Sequence, residues 1–104
     1  WTHANTVTPF GVVWALQAVA MGDTDVFDVA FGTEQTMTDT GGTNNAVYIT
    51  PLSAGIVVAG SPGPEELVVY QIKRVPADGS DTLTVDARLV GVKILYNTAV
   101  GTDN

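Results

Sequence analysis

Leu67-Val68-Val69-Tyr70-Gln71-Ile72-Lys73-Arg74-Val75 and, beyond a turn, Leu83-Thr84-Val85-Asp86-Ala87-Arg88-Leu89 are the stretches that decide the fold. In a strand, successive side chains point to opposite faces. Leu67, Val69 and Gln71 then share one face, and Val68, Tyr70 and Ile72 the other. Both faces start apolar, which suits a central strand covered on two sides. In the second stretch Leu83, Val85, Ala87 and Leu89 alternate against Thr84, Asp86 and Arg88, the pattern of a half-buried strand. After Leu89 the phase changes, and Val90, Val92, Ile94 and Tyr96 become the apolar set. Gly91 is placed where a bulge or bend would switch the face.

Outward from there, turn chemistry divides the chain at short intervals. The breaks are Gly22-Asp23, Asp39-Thr40-Gly41-Gly42, Ser61-Pro62-Gly63-Pro64 and Pro76-Ala77-Asp78-Gly79-Ser80-Asp81. Glycine supplies positive φ, proline presets φ, and Asp and Ser bond their own backbone. Between the breaks lie β-branched and aromatic runs. The reading is eight short strands, at 12–21, 25–31, 35–38, 46–50, 55–59, 67–75, 83–89 and 91–96. The run Trp14, Ala15, Leu16, Ala18, Val19, Ala20 also suits a helix; its β-branched residues and strand neighbours favour β. The expected fold is all-β: an antiparallel β-sandwich, jelly-roll-like, with a closed barrel as the next choice. Residues 11–97 form the sandwich, residues 1–10 an N-terminal segment able to serve as an inter-subunit strand, and residues 98–104 a frayed tail.

Composition narrows the function. The 104 residues allow one core. They are 45% hydrophobic and 14% charged, unlike a disordered tail. Acidic residues outnumber Lys and Arg 11 to 4, for a net charge of −7, which repels nucleic-acid phosphates and anionic lipid. Lys73 and Arg74 are adjacent, but Arg88 and Lys93 stand apart, so no basic run exists. The longest apolar run, 11–21, contains Gln17 and is short of the ~20 residues a membrane-spanning helix needs. Without cysteine there is no disulfide and no zinc–thiolate site. No Asn-x-Ser/Thr sequon occurs, so N-glycosylation is not expected.

Catalytic chemistry is hard to assemble from this inventory. The single imidazole, His3, reads as an ordinary exposed histidine. Glu34, Glu65 and Glu66 are the only glutamates, and Glu65-Glu66 read as a solvated strand lead-in. Asp78-Gly79-Ser80-Asp81 resembles the start of a calcium loop, but the register puts Leu89 where the bidentate Glu belongs; a hairpin turn is the expected reading. Alternation separates Asp28 from Asp23 and Asp25, against one shared metal. Trp14 reads as core, and Trp1 and Tyr48 are the exposed aromatics able to form a sugar platform. No enzyme activity, metal or other cofactor is expected.

Two strings carry a resemblance. One is Asp81-Thr82-Leu83-Thr84-Val85-Asp86-Ala87-Arg88-Leu89-Val90-Gly91-Val92-Lys93-Ile94; the other is Asp25-Val26-Phe27-Asp28-Val29-Ala30-Phe31-Gly32-Thr33 with Thr36-Met37-Thr38-Asp39. Together they resemble a family of small all-β proteins encoded by phage and viral metagenomes, mostly of unassigned function. The likeness spans most of residues 1–96 and is one of whole strands, without a catalytic signature. It implies a jelly-roll sandwich in a virion or extracellular setting. Members often carry extra strands before the position matching Trp1-Thr2-His3-Ala4, where this chain begins. No functional residue carries over.

A sandwich whose first strands lie elsewhere exposes apolar surface and a strand edge, to be covered by a longer parent chain or a neighbour. The expected function is a non-enzymatic structural subunit that self-assembles as a homo-oligomer or homopolymer, in a virion appendage or an extracellular filament. Trp1, Val7 and Phe10 are the candidate self-assembly residues, in a segment broken by Pro9. That segment also suits the first strand of its own sandwich. The alternative function is a carbohydrate- or receptor-binding module. Neither nucleic acid nor membrane is an expected partner.

Overall fold

The computed structural model describes residues 1–4 and 10–96, and contains strands but no helix among them. The elements are β1 (Thr2–His3), β2 (Phe10–Met21), β3 (Gln35–Gly41), β4 (Leu67–Arg74) and β5 (Ala87–Arg88). One antiparallel sheet has the order β3-β2-β4, and a second pairs β1 with β5, also antiparallel.

β2 is the strand on which everything is built. It pairs with β3 from Phe10↔Gly41 to Leu16↔Gln35, and with β4 from Trp14↔Arg74 to Met21↔Leu67. Neighbours on both sides settle the helix-or-strand choice, because ladders along 10–16 on one edge and 14–21 on the other take up backbone groups that a helix would otherwise pair internally. Neither neighbour spans all of β2, so loops take over at its ends. The Gly11 carbonyl accepts from the amides of Thr82 (2.8 Å) and Leu83 (3.2 Å). At the other end the Ala18 carbonyl accepts from Gly32 (2.9 Å), and Ala20 donates to Ala59 (2.8 Å).

The even-numbered face of β2 makes the core. Phe10, Val12 and Trp14 are buried with Trp1 and Leu83; Met37, Tyr48, Ile72, Val85 and Ala87 pack around them. Gly41 is where it is because its missing side chain makes room for aromatic rings: a Cβ there would come within 2.9 Å of Trp1 and 3.0 Å of Phe10.

The second layer closes over this face. β1 pairs with β5 in the register Thr2↔Arg88 and His3↔Ala87. On the other side of β1, Trp1 and Tyr48 exchange hydrogen bonds of 2.8 Å in both directions, and Asn45 donates to the His3 carbonyl. The molecule is thus a small two-layer all-β fold of sandwich type.

Several expectations change. The strands at 12–21, 35–38 and 67–75 are present, the middle one running on to Gly41. The strand at 83–89 shrinks to Ala87–Arg88. Segments 25–31, 46–50, 55–59 and 91–96 form no ladder, apart from the single Val19↔Ala59 bridge. Strand 67–75, expected at a sheet centre, is an edge strand, and Leu67 is 61% exposed. The cause is common to all of these: alternation records which side of a segment is apolar, whereas a strand exists only where a partner offers its backbone.

The chain is correspondingly spread out. Its radius of gyration is 16.5 Å and it measures 48 × 34 × 19 Å. A self-contained domain of about 100 residues has a radius near 13 Å. Of the expected boundaries, residues 5–9 and 97–104 lie outside the described residues.

Candidate functional site

An apolar groove of about 800 Å³ opens between the layers. Its floor is the sheet face carrying Trp14, Leu16, Met37, Tyr70 and Ile72. Its walls are two extended segments, 47–56 and 89–96. Lys93 is the only charged side chain among the groove-lining residues. No hydrogen bond between backbone groups involves residues 49–58 or 89–96 among the described residues. The walls also leave large apolar groups in water: Ile49 is 90% exposed, Leu52 74%, Val90 63% and Tyr96 80%. Volume alone would suit a small ligand. Walls whose extended backbone is unpaired over 49–56 and 89–96 among the described residues suit a peptide strand better, since a strand supplies both hydrogen bonds and alternating side chains.

At one end of the groove stands an aromatic cluster. Alternation sends Trp1 and His3 to the same side of β1, which is the core side. Trp1 stacks on Tyr48 at 5.0 Å between ring centroids, and His3 meets Phe10 edge-on at 4.6 Å. The Trp1 indole donates to Asp39 (2.8 Å). Tyr48 is held by the amides of Thr43 (2.7 Å) and Gly42 (3.1 Å), which donate to its hydroxyl. The Thr43 contact is the main cause that draws the phenol below its ordinary pKa.

The structure places the expected site residues as follows. Trp1 (5% exposed) and Phe10 (6%) pack in the chain's own core, and Val7 lies outside the described residues. His3, expected to be exposed, is fully buried, because β1 pairs with β5 and turns that side chain inward. Trp1 is likewise no exposed sugar platform: its ring is covered by Tyr48, Phe10 and Gly41. Trp14 is core, as its apolar surroundings imply.

Charges are engaged in structural ties. The 78–81 stretch is a turn, with Asp81 N–H donating to Asp78 O and Ser80 N–H to the Asp78 carboxylate. Asp81 is taken by Arg74, whose Nε and Nη2 reach the two carboxylate oxygens at 3.0 and 2.6 Å. Arg74 also donates to the carbonyls of Val85 and Leu83, and Asp81 accepts from Val13 N–H. The pair holds the Asp81 carboxyl below the usual aspartate range, chiefly through the Arg74 hydrogen bonds, and raises Arg74. Lys73 pairs with Glu34 at 2.7 Å. Arg88 and Lys93 have no acidic partner among the described residues. No group of three metal-binding side chains occurs among those residues, nor any helix long and apolar enough to cross a membrane.

Sequence reading missed both the groove and the Arg74–Asp81 tie. The groove had a signal: the apolar runs 46–58 and 89–96 outnumber the strands available to cover them. The ion pair had a weaker one, opposite charges on the two sides of a turn.

Set against family models, curated proteins and solved structures, the chain matches none of them.

Proposed function

We propose that the chain is a non-enzymatic structural subunit that self-assembles into a homopolymer, in a virion appendage or an extracellular filament. One observation carries the reading: long extended segments expose large apolar side chains beside an open apolar groove, with no backbone partner among the described residues. Monomeric soluble proteins rarely leave contiguous apolar patches of this kind, and unpaired strand edges template pairing with another chain. In the assembled state the segments 25–31, 46–50, 55–59 and 91–96 gain ladders from neighbours, and the subunit becomes the jelly-roll-like sandwich of about eight strands that its alternation describes. The open outer edge of β4 is a further place for such pairing. The likeness of its strands to phage-encoded all-β proteins agrees with this setting.

Negative-stain electron microscopy of the concentrated protein tests the proposal. Filaments or large ordered oligomers are the expected result. Small dispersed particles at every concentration would overturn it and direct attention to glycan arrays, the readout for the carbohydrate-binding alternative.

A further inference from the structure

The groove needs an occupant, and the chain carries a segment with matching chemistry on another part of its surface. Residues 23–30 are all exposed, with Val26 70%, Phe27 78% and Val29 41% accessible. The segment leaves a closed turn in which Asp25 N–H donates to Gly22 O (3.2 Å) and the Asp25 carboxylate accepts from Gly22 N–H (2.7 Å). In extended form Phe27, Val29 and Phe31 fall on one face, about 7 Å apart. Asp28 and Val26 fall on the other.

We infer that the segment 25–31 of one copy is the strand that fills the groove of the next, with Phe27 and Val29 seated on the Leu16, Tyr70 and Ile72 floor. This rests on the self-assembly reading above and names the donor. Three observations converge on a second copy as the occupant. The groove is apolar and walled by two extended segments, and the donor segment offers a row of apolar side chains at strand spacing. Both the groove walls and the segment have backbone groups to pair, the Val29–Phe27 contact being the one backbone bond within 26–31.

Charge is the third. The protein carries −7, so copies repel unless cations are placed to meet acids. Of its four Lys and Arg residues, Lys73 and Arg74 are already paired. The remaining two are Lys93, in the groove wall, and Arg88, next to that wall. The segment brings Asp25 and Asp28, neither of which has a cationic partner among the described residues. Donor and acceptor are different surfaces, so the contact is head-to-tail and repeats into a ring or a filament.

Sedimentation velocity over a concentration series tests this on the full chain, with Phe27→Asp, Lys93→Glu and the charge exchange Asp28→Lys/Lys93→Glu beside the wild type. Phe27 is exposed, so Phe27→Asp should keep the wild-type urea midpoint at dilutions where both are monomeric, while association weakens at least tenfold. Lys93→Glu should weaken association, and the exchange should restore part of it. Because the chain has no cysteine, mixed Phe27→Cys and Ile94→Cys proteins add a direct readout: oxidation should join the two variants to each other. Wild-type assembly together with unchanged assembly of Phe27→Asp would overturn the donor assignment and leave the self-assembly reading standing. A wild type that stays monomeric throughout would overturn both.

Discussion

Arg74→Met is the substitution that most directly tests how the two layers are tied. The Asp81 side chain is 1% exposed and that of Arg74 18%. Arg74 donates four hydrogen bonds, two to Asp81 and one each to the carbonyls of Leu83 and Val85. Methionine keeps much of the aliphatic stem and removes all four. What remains is a buried carboxylate held by the backbone amides of Val13 and Leu83 without a cation, and two carbonyls without their donor. Removing one member of a buried ion pair costs about 3–5 kcal/mol. Domains of this size are stable by roughly 5–15 kcal/mol, so the loss is a large fraction of the total. The thermal midpoint should fall by roughly 12–40 °C, from about 4–8 °C per kcal/mol. Urea unfolding followed by tryptophan fluorescence is a suitable assay, because Trp1 and Trp14 both lie in the core. Adding Asp81→Asn should recover part of the loss, since the amide oxygen can still accept from Val13 N–H and the stranded charge is gone. A loss below about 1 kcal/mol for Arg74→Met, the range of exposed pairs, would refute the claim that this pair fastens β4 to the second layer.

Further outcomes follow from the same geometry. The Asp81 carboxyl is held below its unfolded value near 3.9; its contribution to stability is therefore present above about pH 4 and lost as pH falls through the lower folded value. Acid unfolding of Asp81→Asn, monitored by near-ultraviolet circular dichroism, should lack that component; identical acid transitions for both proteins would contradict the assignment. Gly41→Val should destabilise by about 1–3 kcal/mol through overpacking against Trp1 and Phe10, and an unchanged urea midpoint would show that the rings move aside freely.

The flatness of the molecule and its exposed apolar segments have one physical cause. β2 lies central in its sheet and is bonded along both edges, so the first sheet is anchored. The second layer is fixed by the two-residue ladder of β1 and β5, by the Trp1–Tyr48 exchange, and by the bonds of the 81–85 stretch to Gly11, Val13 and Arg74. Beyond those contacts its chain runs extended at 49–56 and 89–96 without a backbone hydrogen-bond partner among the described residues, and the groove lies open between them.

Composition and alternation by themselves determined that this is an all-β chain with one apolar centre. A run such as Val12 to Met21, apolar on both sides and flanked by turn residues, has few other ways to bury itself. They also determined that Trp14 is core and that the 78–81 stretch turns the chain. Those are local properties, set by side-chain polarity and backbone preference. Which segments pair was decided only in three dimensions. Strand 67–75 has the pattern of a central strand yet lies at an edge, and 46–50 and 91–96 have strand patterns yet no ladder, because pairing depends on what the rest of the chain brings alongside. The fate of His3 and of Arg74 was tertiary for the same reason. A polar group is buried when a distant partner compensates its desolvation, and the Leu83 and Val85 carbonyls that meet Arg74 are brought there by the turn and by the packing of Leu83 on the core.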